Sequence, residues 1–120
     1  MAIEKKNNRR TGTAYENRAV LFLREKGYQV LEINFYTRFG EIDIIAMDGN
    51  YLVFVEVKYR KSTNMGTALE SVTPAKQRRI IQSARYYIYH KFFREDIPCR
   101  FDVIAFEGEK VIHIPNAWHA

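Results

Sequence analysis

The sequence predicts an α/β domain with an αβββαβ core and one added strand, a mixed central sheet flanked by helices. Three observations carry this prediction. Short runs rich in Val, Ile and Phe read as strands. Two longer segments repeat apolar residues at helical spacing and carry helix-boundary residues at their ends. The second of these helices lies between two strands, an order that gives a right-handed crossover and parallel pairing, so the sheet must be mixed.

Residues 1–11 read as a basic flexible tail and residues 12–120 as a single domain, with no internal repeat, low-complexity segment or long linker. The first helix spans about Ala14 to Lys26, with Thr13 as N-cap and Gly27 just past its end. Tyr15, Ala19, Phe22 and Leu23, with Val20 beside them, form its apolar stripe. Glu16 precedes Ala19, Val20 and Leu23 by three, four and seven residues, so it points along that stripe toward the core. Thr13-x-x-Glu16 also fits a capping box, in which the glutamate bonds back to the N-cap amide.

Tyr28 to Phe35 reads as the first strand, and Tyr36 to Gly40 turns the chain. Lys61 to Gly66 is a polar, basic loop, and Thr67 to Ser71 a short turn of helix. Thr73-Pro74 is an N-cap followed by proline at the first helical position. The helix it opens runs to about Phe93, with Gln77, Ile80, Ile81, Ala84, Tyr87 and Ile88 inward and Lys76, Arg78, Arg79, Arg85 and Lys91 outside. Cys99 to Phe106 and Lys110 to Ile114 are two more strands, turned at Glu107-Gly108-Glu109. Pro115 to Ala120 carries no clear pattern.

The central hairpin, Arg38 to Arg60, organises the rest. Two apolar strands meet at Asp48-Gly49-Asn50, a strong short-range turn signal. Alternation places Ile42, Ile44 and Ala46 on one face and Glu41, Asp43 and Ile45 on the other. On the second strand Val53, Val55 and Val57 oppose Phe54, Glu56, Lys58 and Arg60. A Gly49-Asn50 loop sets Asp43 opposite Glu56, whereas an Asp48-Gly49 loop sets Glu41 opposite Glu56. Either register gathers Glu41, Asp43, Glu56 and Lys58 on one face. Like charges facing each other on buried strands are costly, and a hard divalent cation, which takes carboxylate oxygens, resolves the conflict.

One cysteine, Cys99, excludes an internal disulfide and a cysteine zinc site, and a reducing cytoplasm is the simplest setting. The polar N-terminus is not a signal peptide, and no apolar run approaches the ~20 residues of a membrane span. His90, His113 and His119 lack metal-ligand spacing and read as surface residues. The net charge of +5 is uneven: Lys58 to Arg100 holds ten Lys/Arg against three acids. A positive segment beside an acidic cluster suits a polyanion held near bound metal, although a solvated helix face has the same composition.

Asp43 and Glu56-Val57-Lys58, with twelve residues between them and a helix carrying Glu16 before them, resemble the PD-(D/E)XK nuclease superfamily. More narrowly, Gly12-x-x-x-Glu16, Gly40-Glu-Ile-Asp-Ile-Ile45, Phe54-Val-Glu-Val-Lys58 and Arg100-Phe-Asp-Val103 resemble the YraN-like family of bacterial proteins, which is similar to Holliday junction resolvases. The resemblance covers about Gly12 to Ile114. Proline often precedes the superfamily's first acid, whereas Ile42 does here; no ligand is lost by that.

The resemblance implies a restriction-endonuclease-like fold and a metal-dependent endonuclease acting on DNA, branched or structured DNA included. It implies Asp43, Glu56 and the Val57 carbonyl as ligands of Mg²⁺ or Mn²⁺, Lys58 as the group that orients or deprotonates water, and Glu16 as a further catalytic acid. Glu41 and Gln77 are accessory candidates. Arg60, Lys61, Lys76, Arg78 and Arg79 are the expected nucleic-acid contacts. A resolvase-like role implies a homodimer, since two strands need two sites. Two other readings stay open: a non-catalytic nucleic-acid-binding module on a nuclease fold, and a small assembly protein whose acids are structural. Asp102 is expected in a hydrogen bond or salt bridge.

Overall fold

A computed structural model describes residues 2–60, 69–93 and 96–120, with side chains from Thr13 onward except that of Arg60. At its centre the predicted hairpin forms from β2 (Gly40–Asp48) and β3 (Tyr51–Arg60). Asp48 pairs with Tyr51 and Ile44 with Val55, so Gly49-Asn50 is the loop. Gly49 takes a φ of +59° and Asn50 stays out of the positive region, the sign pattern of a type II′ turn, which puts glycine first.

β1 (Gln29–Thr37) pairs antiparallel with β2, and β4 (Cys99–Glu107) pairs antiparallel with β5 (Lys110–Trp118). β3 and β4 run parallel from Leu52 opposite Cys99 to Arg60 opposite Glu107, giving one mixed sheet in the order β1-β2-β3-β4-β5. The crossover between the parallel strands contains α2 (Pro74–Phe92). The Thr73 hydroxyl accepts from the Lys76 amide at 3.2 Å and Pro74 stands at the first turn, as predicted.

The two helices cover opposite faces. Ala19, Val20 and Leu23 of α1 (Ala2–Glu25) bury against Ile44, Ala46, Val53, Val55, Ile104 and Phe106. Ile80, Ala84, Tyr87 and Ile88 of α2 bury against Ile45, Leu52, Phe54, Phe101 and Val103. Each fully buried Val, Leu, Ile or Phe contributes on the order of 1.5–3 kcal/mol, so the sheet is held from both sides. Among the described residues no helix is long and apolar enough to cross a membrane.

Several boundaries differ from the sequence reading. The α1 backbone is helical from Ala2, so Thr13 lies inside the helix and no capping box forms there. β1 reaches Thr37, because the Thr37 hydroxyl accepts from the Phe39 amide and makes the turn tighter than expected. β5 continues to Trp118, whose ring stacks on Phe101 at 5.4 Å; a register shift and positive φ at Asn116 carry the strand past Pro115. Ile42 packs with Ile45 on the α2 side rather than with Ile44, because β2 has left its ladder with β3 by that point. Leu69 and Glu70 are helical, while the predicted 61–66 loop lies outside the described residues.

Candidate active site

The ladder between β2 and β3 stops at Ile44 and Val55, and the two strands fork beyond it. The Val57 amide turns into this fork and donates to Oδ2 of Asp43 at 2.8 Å. The N–H and C=O of one extended residue point to the same side, so the Val57 carbonyl faces the fork too. The fork is the floor of an open cleft of about 320 Å³ lined by Tyr15 and Glu16 of α1, Glu41 and Asp43 of β2, Glu56, Lys58 and Tyr59 of β3, and Lys76 and Arg79 of α2.

Glu16, Glu41 and Asp43 each offer an oxygen, and these oxygens lie within 4.8 Å of one another. Asp43 and Glu56 are both 7 % exposed. Burial, then a hydrogen bond to Glu56 and repulsion from its charge, push the Asp43 carboxyl far above the usual carboxylate range. Without a cation the fork therefore favours the protonated form of Asp43. Burial also raises Glu16, with repulsion from Glu41 and Glu56 adding to it; a hydrogen bond from Asn34 works the other way. Acids pressed together against their own ionisation are a donor set suited to Mg²⁺ or Mn²⁺, which favours the charged form of every one of them.

Two lysines complete the cleft. Lys76 Nζ stands 3.2 Å from Glu56 Oε2, an ion pair whose geometry is too oblique for a good hydrogen bond. Burial and a hydrogen bond with Lys76 lower the Lys58 ammonium, overcoming the pull of Glu56. Burial acts against the charge on Lys76 as well, but Glu56 and Lys58 raise it overall. The pair is thus differentiated in direction: Lys76 is raised and Lys58 is lowered.

The cleft brings together Glu16, Glu41, Asp43, Glu56, Val57, Lys58, Lys76 and Arg79. Gln77 is not among them; its amide donates to the Val72 carbonyl at 2.9 Å and ties down the start of α2. Arg78 is exposed on α2 away from the cleft lining. The Arg60 side chain and Lys61 lie outside the described residues. Lys76 was expected on an outer face, yet its long stem reaches over the sheet end to Glu56. Asn34 was missed; its only sequence signal is that asparagine tolerates positive φ, here +54°.

Another buried acid lies elsewhere on the sheet, on β4. Asp102 is fully buried and accepts from Arg100 Nε at 3.1 Å, the Asn116 amide at 2.9 Å and His113 Nε2 at 2.8 Å. Lys26 Nζ meets His113 Nδ1 at 2.8 Å, which assigns the ring proton to Nε2. His113 is therefore an interior residue, not a surface one, because the carboxylate beneath it needs the donor. Arg100 also reaches the Tyr28 hydroxyl and Asp48.

Fold and cleft together define the class: an α/β domain with the restriction-endonuclease-like αβββαβ core. Within that class the chain belongs to the uncharacterised protein family UPF0102, the YraN family, whose model matches residues 15–106. It is 45% identical over 114 residues to a UPF0102 protein of Lachnoclostridium phytofermentans, covering 95% of this chain and 97% of that one. A UPF0102 protein of Thermodesulfovibrio yellowstonii is 47% identical over 107 residues, covering 89% and 94% of the two chains. One from Klebsiella pneumoniae is 41% identical over 112 residues, covering 92% and 88%.

Proposed function

We propose that this protein is a metal-dependent endonuclease that hydrolyses phosphodiester bonds of DNA, branched or structured DNA included. The observation that carries the reading is the convergence of Glu16, Glu41, Asp43 and Glu56 with Lys58 and Lys76 on one open cleft at the β2–β3 fork. Asp43, Glu56 and the Val57 carbonyl would hold Mg²⁺ or Mn²⁺, with Glu16 and Glu41 beside them. When bound, such a dication supplies charge stabilisation and a more acidic water. Lys58 orients or helps deprotonate the attacking water and steadies the charge that develops on the phosphate. Lys76 and Arg79 face the phosphate as fixed cations, and Arg78 meets the backbone further along α2. Cutting both strands of a branched substrate takes two copies of the site, hence a homodimer.

The test is cleavage of plasmid, linear, single-stranded and four-way-junction DNA with Mg²⁺ or Mn²⁺. Wild type cuts at least one, and Asp43→Asn and Glu56→Gln abolish the cut. Variants that cut as well as wild type overturn the assignment. Tight, salt-sensitive DNA binding without any cleavage identifies a binding module instead. Calorimetry that detects neither DNA nor divalent-ion binding makes the acids structural.

A further inference from the structure

The cleft has one wall that the hydrolytic reading leaves unused. Tyr15 directly precedes Glu16 and Tyr59 directly follows Lys58, so each ring is one residue from a proposed catalytic group. The rings stack on each other, centroids 4.2 Å apart and planes 18° from parallel. Behind them Tyr15 packs at 5.1 Å on Phe106, which is fully buried in the α1-side core. The stack is thus anchored in the interior at one end and open at the other: Tyr59 remains 41% exposed although Tyr15 covers one of its faces. The Arg18 guanidinium lies 4.7 Å from the Phe106 centroid and 5.3 Å from that of Tyr15, so it is held along the stack by cation–π contact.

A rigid aromatic face on the wall of a cleft lined by Lys58, Lys76 and Arg79 forms the combination that binds unpaired nucleotides. Bases stack on the ring whatever their identity, and the cations follow the backbone. A base inside a duplex is already stacked on both faces and has no free face to offer. We infer that Tyr59, backed by Tyr15, is a stacking subsite for one unpaired nucleobase adjoining the scissile phosphate. This rests on the nuclease reading and narrows it to DNA with a single-stranded segment next to the cut, such as a fork or an open junction arm.

The experiment uses the full chain and two readouts. In the first, wild type, Tyr59→Leu and Tyr59→Trp are compared, with Mg²⁺ or Mn²⁺, on a forked duplex and on the same duplex fully paired. Wild type prefers the fork. Tyr59→Leu loses on the order of tenfold to a hundredfold on the fork, the range one base–aromatic stack commands, and changes little on the duplex. Tyr59→Trp keeps the preference. In the second, the fork carries 2-aminopurine in its unpaired arm and is bound in EDTA, where nothing is cut; stacking on Tyr59 quenches its fluorescence and Tyr59→Leu abolishes the quench. Equal rates of Tyr59→Leu and wild type on the fork, an equal loss on both substrates, or a quench that survives Tyr59→Leu each overturn the subsite. Should wild type cut neither substrate while the quench is present and depends on Tyr59, the hydrolytic reading fails and the subsite stands.

Discussion

Two buried acid clusters sit on the same sheet and are built to opposite ends. Asp102 has no exposed surface at all, yet its carboxyl lies below the ordinary value: burial alone would raise it, but His113, the Asn116 amide and Arg100 more than offset that. Asp43, slightly less buried, has one amide donor and a second acid as neighbours, and it is raised instead. Burial is the same in kind; the donor count decides the sign. The Asp102 cluster is complete and holds β4 to β5 and to the start of β1. The Asp43 cluster is incomplete, and incompleteness of this sort marks a place where a ligand is expected.

The sharpest way to break this comparison is to remove the acids. Glu56→Gln and Asp43→Asn are expected to reduce metal-dependent DNA cleavage by about a thousandfold or more, since the charge stabilisation at stake is several kcal/mol. Asp43→Asn, which keeps a neutral hydrogen-bonding group beside Glu56, melts no lower than wild type without metal. Asp102→Ala is expected to do the reverse. It leaves His113 and the Arg100 Nε without their shared acceptor and costs roughly 3–5 kcal/mol of stability, read by denaturant unfolding. Equal stability losses in the two clusters would erase the distinction.

Divalent cations sharpen it further. Excess Mn²⁺ is expected to raise the melting temperature of wild type, by about 2.7 kcal/mol of stability at a hundred times the dissociation constant. Asp43→Asn loses this gain, whereas a conservative change at the other cluster, His113→Gln, keeps it. Calorimetric scans with and without Mn²⁺ decide.

The two acids also give stability opposite dependence on pH. Asp43 binds its proton more tightly folded than unfolded, so without metal its contribution is fully present below its ordinary value of 3.8 and is lost as pH rises toward its raised folded value. Asp102 is lowered, so its contribution is present above 3.8 and is lost as pH falls through its folded value. Unfolding measured between neutral pH and pH 9 should fall in wild type by at most about 1.4 kcal/mol per pH unit, and less steeply in Asp43→Asn. The smallest effect is expected from Lys76→Met. Its side chain is 35% exposed and Lys58 still faces Glu56, so stability changes by about 1 kcal/mol or less.

Much of the site was legible because strand alternation is a local rule. Period two put Glu41, Asp43, Glu56 and Lys58 on one side of the hairpin whichever loop residue led, and all four reach the cleft. The chemistry of Thr73-Pro74 and of Gly49-Asn50 is equally local, and both form as read. Local rules failed where the answer depended on a neighbour. His113 looked like a surface residue because nothing near it in the chain reveals Asp102 below it. Lys76 sits on the outward side by helical period, but the helix starts above the sheet end, where an outward lysine can still bend to Glu56. Ile42 lies in the other core from Ile44, two residues beyond the last pair of the β2–β3 ladder.

By itself, then, the sequence determined the order of elements, the hairpin and its charged face, since propensity, period and turn chemistry act over a few residues. Tertiary structure alone decided that β2 and β3 fork after Ile44, that α1 and α2 close on opposite faces, and that Glu16, Lys76 and the Tyr15–Tyr59 stack meet the hairpin acids there. Those meetings join residues as far as 44 positions apart in the chain, Tyr15 and Tyr59, and only the packing of both helices on one sheet brings them within reach.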